Sequence, residues 1–314
     1  MAQRFVSACR NWTALALVKA TLWLFSRLSL TTARRLGRWF GRCYWALDTR
    51  GRRIAERNIA LAYPQLSPDE QTALVRETLQ ETGALATEMG HVWLLPWSKS
   101  QHLIKDVEGE QAIRAAIESG RGVIVLGPHL GNWEVLGLHL ATLGNMVALF
   151  APPKIASLGQ LIQDARERSG GQLVPTTPRG IAAITKSVKN GGISGILPDQ
   201  VPDTEVGASN VPFMGVECAT AALGVNLVNR SNALAFMGAA YRIPGGFKVC
   251  YVPAPEALYV GDQQSALTAM NQAVEDLVHG WDAQYQWVYK RFRTQPRGSV
   301  DHYRNLRAPR TPEG

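Results

Sequence analysis

Residues 122–143 read Gly-Val-Ile-Val-Leu-Gly-Pro-His-Leu-Gly-Asn-Trp-Glu-Val-Leu-Gly-Leu-His-Leu-Ala-Thr-Leu. The stretch opens with four apolar residues, 123–126, which are short and β-branched enough to form a buried strand. Gly127 and Pro128 end that strand, and the apolar residues that follow recur at helical spacing. The stretch therefore predicts a strand, a tight turn and a helix at the centre of an α/β fold.

Four residues of the turn and the helix start carry the chemistry. A helix start offers unpaired backbone N–H groups and a positive dipole end, and His129 in the turn has a side chain suited to a general base. Glu134 is expected to reach back to the imidazole, fix its tautomer and stabilise the imidazolium. Gly131 is expected to leave room for a substrate, and Asn132 to cap the helix. The alternative is a structural histidine in a turn.

The motif Pro-His-Leu-Gly-Asn-Trp-Glu at 128–134 has the order His-x4-Glu directly after a buried strand. It resembles the signature of the glycerolipid acyltransferase superfamily and is most similar to that of the bacterial lipid A biosynthesis (lauroyl/myristoyl) acyltransferases. Other segments resemble motifs of that family in the same order along the chain: Arg53, Asn58, Ile59 and Pro64; Arg166 four residues before Gly170; Pro198-Asp199-Gln200; Val211-Pro-Phe-Met-Gly; and Trp287-Val-Tyr-Lys-Arg-Phe-Arg-Thr-Gln-Pro.

Two residues outside the central motif complete the site that this resemblance implies. Arg166, near the end of a predicted helix, is expected to bind a phosphate or to stabilise an oxyanion, as a fixed guanidinium can. The alternative is a cation favoured by the helix dipole. Asp199 follows a predicted strand at the edge where open α/β sheets place their sites. It is expected to position Arg166 or the acceptor's sugar, and the alternative is a loop-capping aspartate.

Three positions depart from the family pattern. Met214 stands where the family has the second phenylalanine of Pro-Phe-Phe-Gly, Tyr289 replaces a histidine, and Arg293 replaces a lysine. The segment 211–215 is expected to line the acyl chain, although Thr220 alone represents the threonines that usually follow it.

Strand and helix patterns alternate on both sides of the central stretch. Ser67 and Glu70 predict a capping box at the start of a scaffold helix that runs to about residue 93, with Glu81 and Glu88 as solvated charges. We expect a mixed, mostly parallel sheet flanked by helices, as in the glycerolipid acyltransferases. Further strands are predicted at 107–109, 146–151, 172–175, 192–197, 233–242 and 247–252, and helices at 111–119, 158–168, 179–189, 222–230 and 264–284.

The chain is long enough to bury a sizeable core, and its charge is concentrated at the ends. Of the 314 residues, 46% are hydrophobic and 18% are charged. Residues 1–57 hold twelve Lys or Arg against two acids, a net charge of +10, and residues 289–314 have a net charge of +5. The middle is therefore −7 within a total of +8. Four scattered cysteines without a CxxC pattern indicate reduced thiols rather than a two-disulfide secreted protein.

The amino terminus has the pattern of a membrane segment. Trp12 to Leu30 is almost long enough to cross a bilayer, with Lys19 and Arg27 as interruptions. This segment either spans the membrane or lies in its interface, and the resemblance also implies an N-terminal membrane helix. A cleaved signal peptide and an ordinary buried amphipathic helix are the alternatives.

A basic helix is predicted to follow this segment. Arg34, Arg38 and Arg42 share one of its faces among leucine and aromatic residues, which suits the surface of an anionic leaflet. The arginines would keep the following chain in the cytoplasm by the positive-inside rule. A nucleic-acid partner is not expected, because the tryptophan and leucine density favours lipid.

These patterns, together with the family resemblance, imply three segments: a membrane anchor with a basic interfacial helix at 1–48, an acyltransferase domain at 49–296, and a basic, loosely ordered tail at 297–314. The expected location is the bacterial inner membrane, held by a single N-terminal helix, with the catalytic domain facing the cytoplasm. The chain lacks a Gly-x-Ser-x-Gly elbow, a Gly-x-Gly-x-x-Gly loop, a P-loop and a His-Glu-x-x-His motif, which argues against serine esterases, dinucleotide enzymes, kinases and zinc proteases.

The resemblance implies transfer of a fatty acyl chain from an acyl carrier protein thioester to a hydroxyl of a 3-hydroxyacyl chain on a lipid A precursor, Kdo-lipid IVA. His129 would take the hydroxyl proton, with Glu134 steadying it, and backbone N–H groups with Arg166 would stabilise the oxyanion. No metal, other cofactor or covalent enzyme intermediate is expected. Acylation of glycerol phosphate or another glycolipid, and a non-catalytic membrane-tethered binding module, are the alternatives.

Overall fold

A computed structural model of the chain describes residues 2–153, 156–202, 207–294 and 299–307, with side chains from residue 15 onwards except at 156, 157, 305 and 307. Most of the predicted tail at 297–314 lies outside the described residues. The strands are β1 (Ile104–Glu108), β2 (Val123–Leu126), β3 (Val147–Phe150), β4 (Gln172–Pro175), β5 (Ile193–Ile196), β6 (Ala208–Phe213), β7 (Val216–Ala221), β8 (Leu234–Ile243) and β9 (Gly246–Pro253).

Five helices precede the first strand, and the other helices alternate with the strands along the chain. They are α1 (Ala2–Arg27), α2 (Leu30–Ala46), α3 (Arg50–Ala62), α4 (Pro68–Leu94), α5 (Trp97–Ser100), α6 (Glu110–Glu118), α7 (Trp133–Leu140), α8 (Ala156–Glu167), α9 (Pro178–Lys189), α10 (Leu223–Ser231) and α11 (Gln263–Val278).

The central sheet has the order β1-β9-β8-β2-β5. β2 runs parallel to both β5 and β8, β9 runs parallel to β1, and β8 pairs antiparallel with β9. β3 and β4 form a second parallel pair, which a parallel bridge from Met146 to Ile193 joins to the edge of the main sheet. The predicted mixed, mostly parallel sheet flanked by helices is therefore confirmed.

β2 lies inside the sheet, between β8 and β5, because its side chains are apolar on both faces. All four of its residues are at most 1% exposed, as a parallel strand covered by helices on both sides requires. Full burial of such a side chain contributes about 1.5–3 kcal/mol. The strand therefore fixes where the following turn, 127–132, emerges at the carboxyl edge of the sheet.

Several local predictions are confirmed and others need correction. Ser67 and Glu70 form the predicted capping box of α4. The predicted helix 264–284 ends earlier, at Val278, and is followed by a short 3₁₀ turn. The β6–β7 hairpin was not predicted as paired strands. The thiols of Cys43, Cys218 and Cys250 are free, while the side chain of Cys9 lies outside the described residues.

α2 packs against α4 with almost no space between the two backbones. A Cβ atom built on Gly37 would overlap the backbone oxygen of Gly83, and one built on Gly83 would overlap that of Gly37. A Cβ on Gly41 would likewise overlap the backbone oxygen of Leu79. We call Gly37, Gly41 and Gly83 the glycine seam; because any larger residue there would push the helices apart, the seam fixes α2 on α4.

The N-terminal predictions are corrected in two respects. Across the described part of the chain, no helix has both the length and the apolar character that crossing a bilayer requires, so the predicted transmembrane helix is not supported. The predicted basic face of α2 is also not a lipid-facing surface as a whole. Arg34 is buried and pairs with Glu88, and Arg38 pairs with Glu81.

Candidate active site

His129 meets a carboxylate from the neighbouring strand. β2 and β5 are parallel neighbours, so the residues that follow them emerge at the same edge of the sheet. The Nδ1 atom of His129 lies 2.7 Å from Oδ1 of Asp199, and the backbone N–H of His129 donates to Oδ2 at 2.9 Å. Asp199 is only 4% exposed. The two residues therefore form a buried histidine–aspartate pair.

The surroundings of this pair define which ring nitrogen can act as a base. Burial raises the pKa of the Asp199 carboxyl, but the charge of His129 and the hydrogen bonds from its ring and backbone bring that pKa below its usual value. The carboxylate makes Nδ1 the donor, which leaves the lone pair on Nε2. The side-chain amide nitrogen of Gln200 lies 3.1 Å from Nε2, which assigns Nε2 as acceptor. Trp133 packs edge-on against the ring at a centroid distance of 4.8 Å.

Glu134 pairs with Arg166 instead of with the imidazole. Its two oxygens accept hydrogen bonds from Nε and Nη2 of Arg166, at 2.8 and 2.6 Å. The predicted contact between Glu134 and His129 is therefore wrong. α7 begins at Trp133, so Glu134 is its second residue and points towards α8, where Arg166 lies in the last turn.

Arg166 is held in a fixed position by this pair. Burial lowers the pKa of its guanidinium, but the hydrogen bond and charge of Glu134 outweigh burial and raise that pKa above its usual value. The arginine thus remains charged beside the site, as the oxyanion hypothesis requires. The prediction that Asp199 positions Arg166 is not supported, because the carboxylate on Arg166 is that of Glu134.

Gly131 and Asn132 shape the turn itself. Asn132 is fully buried and its side chain accepts a hydrogen bond from the N–H of Val135, so the predicted helix cap is confirmed. Gly131 has φ +58°, a conformation that favours glycine. A Cβ atom there would overlap the backbone oxygen of Ala240. The glycine thus allows β8 to approach closely, which is a different reason from the predicted room for substrate.

The buried carboxylate of Glu88 supports the turn 127–132 through hydrogen bonds. Glu88, predicted as a solvated charge, is fully buried and accepts hydrogen bonds from Arg34 at 2.6 Å, Asn132 at 2.9 Å and Arg242 at 2.9 Å. Arg242 also donates to the backbone oxygen of Gly131 at 2.8 Å. Glu81, the other predicted solvated charge, is also buried. Sequence reasoning missed this network; the one available signal was an arginine within the apolar strand β8.

The Glu88 network has a testable energetic weight. We expect Glu88→Gln to lower the free energy of unfolding by about 3 kcal/mol, because the buried Arg34 loses its counter-charge and Arg242 keeps only the longer pair with Glu81, while the amide still accepts one hydrogen bond. Urea denaturation of the purified chain measures this change. The control is Glu110→Gln, which removes an exposed pair with Arg114 and should change the free energy by less than about 0.5 kcal/mol. Equal effects of the two substitutions would contradict the expectation.

An apolar cavity opens beside the Glu134–Arg166 pair. Its volume is about 100 Å³, and apolar cavities of about 150 Å³ are known to bind benzene, so this one can hold part of a hydrocarbon chain. Trp133 lies in its wall and also contacts His129. The cavity is lined by these residues and by others from α7, the sheet and β4, among them Val125, Leu136, Gly137, Leu140, Met146, Ala148 and Leu173.

The segment 211–215 does not line this cavity, and its contact with the acyl chain stays a prediction. The segment forms the end of β6 and the hairpin turn, where Phe213 packs in the core under the guanidinium of Arg291.

The structure shows what Asn58 of the Arg53-to-Pro64 motif contacts. Asn58 donates to the backbone oxygens of Trp287 and Tyr289, and the hydroxyl of Tyr289 accepts from the N–H of Val201, two residues after Asp199.

Comparisons with known proteins cover most of the chain. The family model described as "Bacterial lipid A biosynthesis acyltransferase" matches residues 2–294. The chain is 26% identical over 285 residues to the lipid A biosynthesis palmitoleoyltransferase of Escherichia coli (strain K12), covering 90% of this chain and 92% of the relative. It is 24% identical to the lauroyltransferase of the same strain, with 90% and 92% covered, and 26% identical to its myristoyltransferase, with 86% and 82% covered.

Proposed function

Because the chain belongs to the bacterial lipid A biosynthesis acyltransferases, we propose that it transfers a fatty acyl chain from an acyl carrier protein thioester to Kdo-lipid IVA. It is an O-acyltransferase of lipopolysaccharide biosynthesis, and the acceptor in this proposal is a hydroxyl on a 3-hydroxyacyl chain. The observation that carries the proposal is the His129–Asp199 pair at the carboxyl edge of the sheet, next to an apolar cavity.

In the proposed mechanism the acceptor hydroxyl replaces the amide of Gln200 at Nε2 of His129. His129 removes the hydroxyl proton as the oxygen attacks the thioester carbonyl, and Asp199 stabilises the imidazolium through Nδ1. The new C–O bond forms, the C–S bond breaks, and the imidazolium returns its proton to the departing thiolate. Every atom is then accounted for without a metal, a cofactor or a covalent enzyme intermediate.

The negative charge on the carbonyl oxygen needs a fixed positive partner. Arg166 is available because Glu134 engages only Nε and Nη2 of the guanidinium, so Nη1 takes no part in this pair. The first turn of α7 adds backbone N–H groups and the positive end of the helix dipole. Such preorganised donors are commonly the largest single contribution to acyl-transfer catalysis.

We further propose that α1 and α2 attach the enzyme to the cytoplasmic leaflet of the inner membrane by lying in its interface. Both helices expose large apolar residues, which suits interfacial binding together with neighbouring arginines. The guanidinium of Arg27 lies over the ring of Trp23, 5.7 Å from its centroid. The exposed residues are Leu17, Val18, Trp23 and Leu24 on α1, and Leu36, Trp39, Phe40 and Tyr44 on α2.

Membrane attachment can be tested on α2. We expect the double substitution Trp39→Ala and Phe40→Ala to weaken binding to vesicles that contain anionic phospholipid by at least about tenfold, because two large apolar side chains no longer enter the interface. Vesicle sedimentation of the purified full chain measures the binding. Val260→Ala, at a 59% exposed position outside α1 and α2, should leave it unchanged. Equal binding by the double variant would exclude this attachment surface.

The substrate proposal is tested by mass spectrometry of lipids from cells with and without the gene. We expect lipid A to lose one secondary acyl chain when the gene is absent, and the His129→Ala gene not to restore it. A change in phospholipids with intact lipid A would instead support acylation of glycerol phosphate. Restoration by His129→Ala would support a non-catalytic membrane-tethered binding module.

A further inference from the structure

Gly137 occupies the interior of α7, where neither conformation nor packing requires a glycine. Its φ is not positive, since it is absent from the glycines in the left-handed region, and glycine within a helix is less stable than alanine. Among the described residues, a Cβ atom built on Gly137 would have no heavy-atom neighbour within 4 Å. A side chain would therefore fit at this position and would stabilise the helix.

The space beside Gly137 belongs to the apolar cavity. Gly137 is half-buried, as is Trp133 four residues earlier on the same face of α7. Gly195 on β5 also lines the cavity without a side chain. A Cβ atom built there would make ordinary contacts with Leu140 and Met146, at 3.4 and 3.5 Å. At Gly137 and Gly195 the cavity wall thus lacks a side chain although one would fit. This pattern points to a ligand that occupies the space.

The cavity follows α7 for two turns and so provides a length scale. Glu134, Gly137 and Leu140 line it at intervals of three residues, from the Glu134–Arg166 pair to Leu140 and Met146. One helical turn rises about 5.4 Å. An extended hydrocarbon advances about 1.3 Å per carbon, the projection of a C–C bond of about 1.5 Å. Gly137 and Leu140 are three residues apart, a rise of about 4.5 Å, which corresponds to about three or four carbons of a fatty chain.

We propose that Gly137 sets the length of the acyl chain that this enzyme transfers. Because Gly137 has no side chain, the part of the cavity between Gly137 and Leu140 is open to the end of the acyl chain. This inference rests on the proposed acyl-transfer function. A leucine at this position would close the cavity one turn earlier, and an alanine would narrow it by one methyl group.

The test uses the purified full chain, Kdo-lipid IVA and an equimolar mixture of acyl carrier protein thioesters of graded chain length, with products resolved by mass spectrometry. We expect Gly137→Leu to shift the preferred chain by about three or four carbons towards shorter chains, and to lower transfer of the wild-type chain at least about tenfold. Gly137→Ala should shift the preference by one or two carbons and also raise Tm, as the helix gains propensity.

The control is Ala115→Leu, an enlargement at an exposed position of α6, which should keep the wild-type preference. If Gly137→Leu and Gly137→Ala both keep that preference while wild type and variants transfer at similar rates, the proposal is overturned. A Gly137→Leu variant that does not fold leaves the decision to Gly137→Ala. If the wild-type enzyme acylates no lipid acceptor at all, the proposed function fails, which is a different result from an unchanged chain preference.

Discussion

His129→Ala is expected to lower kcat for acyl transfer at least about a hundredfold, the lower end of the range for loss of a general base. The imidazole is the group at this edge of the sheet that is both paired through Nδ1 and able to accept a proton at Nε2. The measurement is transfer from an acyl carrier protein thioester to Kdo-lipid IVA at saturating substrate. Tm of the variant should fall, because the buried Asp199 carboxylate loses the imidazole that faces it, so kcat is measured on variant enzyme that is shown to be folded.

The matched control for this substitution is His102→Ala. His102 is exposed in the segment before β1, so its replacement should leave kcat unchanged. A His129→Ala enzyme that folds and retains full transfer activity would show that His129 is not the general base of this reaction.

We expect Asp199→Asn to lower kcat by about 10³- to 10⁴-fold, the scale of the loss when a histidine is held in the wrong tautomer. Asp199 accepts two hydrogen bonds from His129, one from the ring and one from the backbone N–H. Asparagine has a single side-chain oxygen, so its NH₂ group must face one of these two donors. If it faces the ring, Nδ1 becomes the acceptor and Nε2 carries the proton, and the lone pair that removes the substrate proton is lost.

Comparing kcat with KM in a folded variant distinguishes a misoriented imidazole ring from a loss of folding or of donor binding. kcat should fall while KM for the acyl donor stays within about threefold, because Asp199 touches the base rather than the cavity. The control is Asp276→Asn, at an exposed position of α11, with an expected change of less than about twofold. A folded Asp199→Asn enzyme with nearly wild-type kcat would show that the aspartate does not hold the tautomer.

Local sequence patterns predicted the strand, turn and helix that carry the site, because these elements depend on residues that are neighbours in the sequence. The apolar run 123–126 and the Gly127-Pro128 break are sufficient to identify a buried strand and a turn, and Asn132 precedes an apolar-periodic segment as a helix cap should. The alternation of strands and helices likewise predicted a mostly parallel sheet. The position of the turn after β2, the sheet edge at which it lies and the start of α7 could therefore be predicted from the sequence.

The pairing within the site was not accessible in the same way. Spacing alone favoured Glu134 as the partner of His129, since it lies five residues away. The actual partner, Asp199, lies 70 residues away, and it meets the histidine because β2 and β5 are adjacent. The Glu88 network joins residues from 44 to 154 positions apart. Such contacts depend on strand order and helix packing, which a pattern of local periodicity does not specify.

The glycine seam and Arg34 have a consequence for trimming the protein. A fragment that starts at residue 49, the predicted domain boundary, would lose Arg34 and uncover Gly83 on α4, while Glu88 kept only Arg242 and Asn132. A fragment that starts just before Ser29, the cap of α2, keeps both the seam and the ion pair. The minimal catalytic unit of this enzyme therefore begins upstream of Leu30, and expression trials for a shortened version should take their first residue from there.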